Sequence, residues 1–163
     1  KYKDWVKFTD LPDLCMNSDV VSIHTPLNRD TEKMFDRQFF PRMKRTAFII
    51  NTSRGGVIEE QDLIQALKEG VIAGADLDVF EDEPIQPGNE LLTMKNVILT
   101  PHTAALTEEC VTRMAVAVAQ RVVDLFNGFI PDNVANPAVP SLDRWKHLKK
   151  KKARRKVSPE SAG

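Results

Sequence analysis

The sequence predicts an α/β protein built on a parallel sheet covered on both faces by helices. Three short apolar runs carry that reading. Thr46-Ala-Phe-Ile-Ile-Asn51 leads directly into Thr52-Ser53-Arg54-Gly55-Gly56. Ile72-Ala-Gly-Ala-Asp-Leu-Asp-Val-Phe80 leads into an acidic loop ending Glu83-Pro84, and Val97-Ile-Leu-Thr100 leads into Pro101-His102. Apolar runs of this length read as strands buried on both faces, and strands alternating with helices indicate parallel pairing.

The elements follow in order. Asp19–His24 reads as a strand closed by Thr25-Pro26, residues 36–43 as a short helix, and residues 46–51 as the next strand. The segment 59–69 is acidic in its first turn, apolar at Leu63, Ile64 and Leu67, and stopped by Gly70. That is a helix with charges matched to its dipole and a glycine after its end. Residues 72–79 and 96–100 read as two further strands. Thr107 caps a long helix running through Phe126, with Glu108 and Glu109 in the first turn and Gly128 past the end. Its apolar positions 111, 114, 118, 122 and 125 form a helical stripe. After Phe126 the chain becomes polar and proline-containing up to Pro140 and reads as an exit segment. The expected division is therefore a partial nucleotide-binding domain over 1–140 and a basic tail without fixed structure over 141–163.

A chain of 163 residues, 42% hydrophobic and 28% charged, suits one globular domain. No apolar run approaches the roughly 20 residues that cross a bilayer, so no membrane partner is expected. Cys15 and Cys110 lie far apart without metal-type spacing and read as buried free thiols of a reducing, cytoplasmic compartment. The formal net charge of zero hides an asymmetry. Residues 144–163 hold nine basic residues against Glu160, which leaves 14 basic against 22 acidic in 1–143. An acidic body thus carries a basic tail, and the two are interpreted separately.

In a parallel sheet all strand C-termini share one edge, where such folds bind ligands. Pro26, Arg54, Asp78 and His102 each follow the end of a different predicted strand. Topology alone therefore gathers them. With Glu83 they supply a cation, an acid–base imidazole and a carboxylate, a set suited to acid–base chemistry on an anionic substrate.

Three ordered stretches resemble one known family. They are Leu14-Cys-Met-Asn-Ser-Asp-Val-Val-Ser-Ile-His-Thr-Pro26 with Thr31 and Met34; Met43–Glu59 around Asn51-Thr-Ser-Arg54-Gly-Gly; and Ala73–Pro84 followed by Thr100-Pro-His102. The pattern resembles the nucleotide-binding domain of the D-isomer-specific 2-hydroxyacid dehydrogenases, relatives of phosphoglycerate dehydrogenase and glyoxylate/hydroxypyruvate reductase. The resemblance covers about residues 5–139. It implies a Rossmann-type, doubly wound parallel sheet, and an oxidoreductase passing hydride between NAD or NADP and a small D-2-hydroxy or 2-keto acid. It implies that Arg54 binds the substrate carboxylate, that His102 is the general acid–base, and that Glu83 orients and charges His102. It implies that Asp78 accepts from the nicotinamide carboxamide, and that Thr25, Pro26, Thr52 and Ser53 line the nucleotide. A homodimer of the full-length parent is also implied.

Only seven glycines are present, and none forms the G-x-G-x-x-G loop that cradles a pyrophosphate at a helix N-terminus. The expectation is a partial Rossmann-type sheet lacking its first strands and glycine-rich loop, a C-terminal fragment of a longer enzyme. Such a fragment is expected to have an unpaired sheet edge, weak or no NAD binding and no turnover alone. The competing reading is a non-catalytic binding module resembling C-terminal-binding transcriptional corepressors. In that reading Lys149–Lys156 serves as a nuclear localisation signal that binds importin, or as a nucleic-acid patch.

Overall fold

The strands expected from the apolar runs form, each trimmed by a residue or two. In the computed structural model, which describes residues 5–131 and 133–150, they are β1 (Val20–Ile23), β2 (Phe48–Asn51), β3 (Gly74–Leu77) and β4 (Val97–Leu99). They pair in parallel in sequence order, β1-β2-β3-β4. Helix α2 (Glu60–Lys68) lies between β2 and β3 in the chain, and α1 (Leu11–Asn17) precedes β1. Contacts divide the chain into two compact units between Ala105 and Leu106, rather than at the 140/141 boundary expected from composition.

In the first unit, Val21, Ile23, Ile49, Ala75 and Leu77 alternate along the strands and join Leu63, Ile64 and Leu67 of α2 in one hydrophobic core. Phe35, Phe40 and Leu91 complete it. Within this unit the core layer does not extend to the opposite sheet face. Val20, Phe48 and Ile98 on that face are 53%, 45% and 65% exposed. The strand composition is that of a sheet buried twice, but the apolar residues of this unit pack against one side.

The segment 36–43 is not the expected helix. Only Phe40–Arg42 makes a single 3-10 turn. Asp36 accounts for this: its carboxylate accepts from the Gln38 amide and its carbonyl from the Phe39 and Phe40 amides, closing a turn, and Pro41 has no amide to continue a helix. Helix α1, not anticipated, is capped by Asp10, whose side chain accepts from the Asp13 amide at 2.9 Å.

The second unit begins with α3 (Glu108–Phe126), capped by the Thr107 hydroxyl and followed by Gly128 at φ 78°. Its apolar stripe forms as expected, yet Val111, Met114, Val118, Val122 and Leu125 are all exposed. Strand β5 (Phe129–Ile130) pairs in parallel with β6 (Lys149–Lys150). The connection makes 3-10 turns at Val139–Ser141 and Asp143–Trp145. Residues 144–150 therefore do not belong to a structureless tail: Trp145 and Leu148 line an apolar hollow with Leu125 and Ile130. The rest of the basic run, from Lys151 onward, lies outside the described residues. Among the described residues no helix is long and apolar enough to cross a membrane.

Candidate active site

Each strand of the first unit ends in a turn whose geometry is set by a polar side chain. At the end of β1, Ser22 Oγ pairs with His24 Nε2 at 2.9 Å. Thr25 follows, half-buried, with its hydroxyl oxygen buried and without a partner among the described residues. The Pro26 carbonyl accepts from the Thr31 hydroxyl. Ile23 lies in register with Asn51, so this turn and the next sit on neighbouring strands.

At the end of β2, Asn51 shapes the turn through Thr52 and Ser53 to Arg54, and Arg54 is exposed. One guanidinium nitrogen, Nη1, donates to the Ser53 carbonyl at 2.6 Å. Gly55 follows because no side chain fits there. A Cβ at Gly55 would lie 1.8 Å from the Phe80 carbonyl oxygen and 2.6 Å from the Glu81 nitrogen. This contact seats the Arg54 turn on the segment after β3.

That segment begins with Asp78, Val79 and Phe80, all buried. The Phe80 amide donates to Glu83 Oε1 at 3.1 Å. Glu81 points elsewhere: it pairs with Lys33 at 3.3 Å, and Lys33 also pairs with Glu59 at 2.7 Å. Of the carboxylates in the acidic loop, the structure brings Glu83 to the site and ties Glu81 outside it.

At the end of β4 the chain turns sharply. His102 has φ 54°, a left-handed conformation costing a non-glycine residue about 1–2 kcal/mol. Asp78 holds this turn. Its carboxylate accepts from the Thr100 hydroxyl, from the Thr103 amide at 2.8 Å and from the Ala104 amide at 2.9 Å, and its carbonyl accepts from the His102 amide at 2.8 Å. Burial works against the Asp78 charge. The Thr100, Ala104 and Thr103 donors and the nearby His102 outweigh it and hold the carboxyl below the ordinary aspartate value. A carboxylate offers about four acceptor sites, so these three donors leave one.

His102 Nδ1 meets Glu83 Oε2 at 2.8 Å. With Nδ1–H donating to the carboxylate, Nε2 is the ring atom left to exchange a proton. The His102 hydrogen bond, the Phe80 amide and the charges of His102 and Arg54 together hold the Glu83 carboxyl below the ordinary glutamate value against the opposing effect of burial. Arg54 thus acts on the same carboxylate that His102 touches.

Pro26, Arg54, Asp78 and His102 follow the C-terminal ends of β1, β2, β3 and β4 in turn. Glu83 and His102 are in contact, Asp78 ties down the His102 turn, and Arg54 exerts its charge on Glu83. Thr52 is exposed and Ser53 half-buried on the Arg54 turn. Sequence reasoning missed Asn51, Thr100 and Lys33. The available signal for Asn51 was a polar residue ending an apolar strand.

Known proteins share sequence and fold with this chain. The family model described as D-isomer specific 2-hydroxyacid dehydrogenase, NAD binding domain, matches residues 1–104. A glyoxylate reductase of Korarchaeum cryptofilum is 47% identical over 134 residues, 82% of this chain and 40% of the relative. A D-3-phosphoglycerate dehydrogenase of Methanocaldococcus jannaschii is 42% identical over 132 residues, 80% of this chain and 25% of the relative. The NAD-complexed form of a D-isomer specific 2-hydroxyacid dehydrogenase from Lactobacillus delbrueckii ssp. bulgaricus superposes with a TM-score of 0.75 at 30% identity, over 82% of this chain and 45% of that one. The chain therefore spans less than half the length of these proteins. NAD is the cofactor class that both the family model and the solved neighbour carry. With a parallel sheet, the matching motifs and a match over residues 1–104, the chain belongs to the D-isomer specific 2-hydroxyacid dehydrogenase family and carries sequence of its NAD-binding domain.

Proposed function

We propose that this chain supplies the acid–base and anion-binding part of an NAD-dependent oxidoreductase site for small D-2-hydroxy and 2-keto acids. The observation that carries the reading is the Glu83–His102 contact at 2.8 Å, with Arg54 acting on the same carboxylate.

Arg54 binds the substrate carboxylate. The planar fork of a guanidinium matches a carboxylate, with two parallel N–H donors for its two oxygens. Among the described residues Nη1 is the guanidinium nitrogen engaged, by the Ser53 carbonyl, which leaves the remaining donors for an anion. His102 Nε2 donates a proton to the carbonyl oxygen in reduction and takes one from the hydroxyl in oxidation. Glu83 accepts from Nδ1–H and fixes the ring plane, leaving Nε2 toward the proton it exchanges.

The residues present fit the nicotinamide end of a dinucleotide. The Thr25 hydroxyl, without a partner among the described residues, and the acceptor site left on Asp78 match the hydroxyls and carboxamide of such a group. Thr25, Pro26, Thr52 and Ser53 would line it, and Asp78 would take the carboxamide. NAD, when bound, supplies or accepts the hydride, while the protein contributes position and charge. The relatives reported above are a reductase and dehydrogenases, which favours this reading over a corepressor-like binding module.

The test joins the chain to the N-terminal residues of the Korarchaeum glyoxylate reductase and follows NADH consumption with glyoxylate. His102→Asn should lower kcat by roughly 10²–10⁴-fold, the usual worth of a positioned acid–base group, with NADH affinity nearly unchanged. Unchanged turnover would remove His102 from the chemistry.

A further inference from the structure

Asn51 ends β2 and is 1% exposed. A buried amide is costly unless its donor and acceptor are both satisfied, so its partners account for its presence. All the partners of its side chain lie on the turn that carries Arg54. Nδ2 donates to the Arg54 carbonyl at 2.9 Å. Oδ1 accepts from the Ser53 amide at 3.0 Å and from the Ser53 hydroxyl at 2.9 Å. The turn thus needs one side chain that donates and accepts within three residues. Asparagine does both; aspartate would set a carboxylate oxygen against the Arg54 carbonyl, and an aliphatic residue would satisfy neither group.

The backbone of the same residue reaches the other half of the site. The Asn51 carbonyl accepts from the Asp78 amide at 2.9 Å, and the Asp78 carbonyl accepts from the His102 amide at 2.8 Å. The turn bearing the cation and the turn bearing the imidazole are therefore fastened to two adjacent buried polar residues by an unbroken line of hydrogen bonds.

We propose that Asn51 is a positioning residue that fixes the Arg54 guanidinium relative to Glu83 and His102. Asn51 touches neither substrate nor cofactor in this scheme; it acts through the Arg54 turn. The inference rests on the reading of Arg54 as the anion-binding cation of this site.

The test needs no ligand and uses the full 163-residue chain. The Glu83 carboxyl is titrated by carbon-13 NMR of labelled glutamate. His102→Gln removes the first of the influences that hold this carboxyl down, and its upward shift, the greatest of the series, identifies the signal. Arg54→Gln should give a smaller upward shift. Asn51→Ala should reproduce the Arg54→Gln shift with the arginine still present, because the freed turn carries the guanidinium away. A residue that merely stabilised the fold would leave the Glu83 titration unchanged. Should Asn51→Ala fail to fold, Asn51→Ser retains one hydroxyl on the turn and is read in the same way. A Glu83 titration unchanged in the asparagine variant, alongside a shift in Arg54→Gln, overturns the role of Asn51 and spares that of Arg54. No shift in Arg54→Gln separates Arg54 from Glu83 and His102, and then the reading of Arg54 falls first and this proposal with it.

Discussion

Asp78→Ala removes one acceptor that serves three donors. The Thr100 hydroxyl and the Thr103 and Ala104 amides all lose the carboxylate, and His102 loses the clamp on the turn that holds it at φ 54°. Hydrogen bonds to a charged group are worth about 1.5–3 kcal/mol each when buried. Residues 100–104 are exposed, so water replaces part of each bond and the lower end applies. Removing the carboxylate also relieves its own desolvation, which offsets some of the loss. The net cost is about 2–4 kcal/mol, a large share of the roughly 5–15 kcal/mol that stabilises a typical domain. The left-handed residue, about 1–2 kcal/mol less favourable than a relaxed one, then returns to an ordinary conformation and carries the imidazole off Glu83. Urea unfolding followed by circular dichroism gives the stability loss, and NMR contacts between the His102 ring and Glu83 report the geometry. A loss below about 0.5 kcal/mol, the scale of an ordinary surface substitution, with the His102–Glu83 contact intact would refute the clamp.

Other perturbations bear on the same arrangement. Gly55→Ala drives a methyl into the Phe80 carbonyl, where both neighbours are backbone and cannot swing aside. It should cost about 1–3 kcal/mol by thermal unfolding, and an unchanged melting temperature would contradict the close approach. Acid should destabilise the first unit. Asp78 and Glu83 both have lowered pKa values in the folded chain, so their stabilisation is complete above the ordinary carboxylate range and is lost as pH falls through the lowered folded values. Glu83→Gln should flatten the acid limb of a stability–pH curve, and an identical limb would show that Glu83 gains nothing on folding.

The sheet was legible in the sequence because a buried parallel strand leaves a local signature. Ala-Phe-Ile-Ile and Val-Ile-Leu need no distant partner to be recognised. Helices α2 and α3 were legible from their caps, first-turn acids and stripes. Helix α1 was not, because its seven residues make barely two turns and Cys15 is its single buried residue. Strands β5 and β6, two residues each, fall below any periodicity, and the Lys149 pairing partner disguised an ordered segment as tail. The exposure of Val20, Phe48 and Ile98 was illegible too, since a strand's composition does not report what covers it. At the site, the residues with charge stood out while those with geometry did not. Glu81 and Glu83 look alike in Glu-Asp-Glu, and Lys33, 48 residues upstream of Glu81, is what separates them. Asn51 reads as the last residue of a strand until its contacts with Ser53 and Arg54 are seen.

The most direct measurement of whether Arg54, Glu83 and His102 address one small molecule is NMR of the Arg54 guanidinium and the His102 ring during titration with oxamate, an unreactive 2-keto acid mimic. Both signals should move together along a single saturation curve, and Arg54→Gln should abolish the movement of the imidazole. Arginine and histidine signals that respond with separate affinities, or an imidazole that still responds fully without the guanidinium, would contradict a shared site.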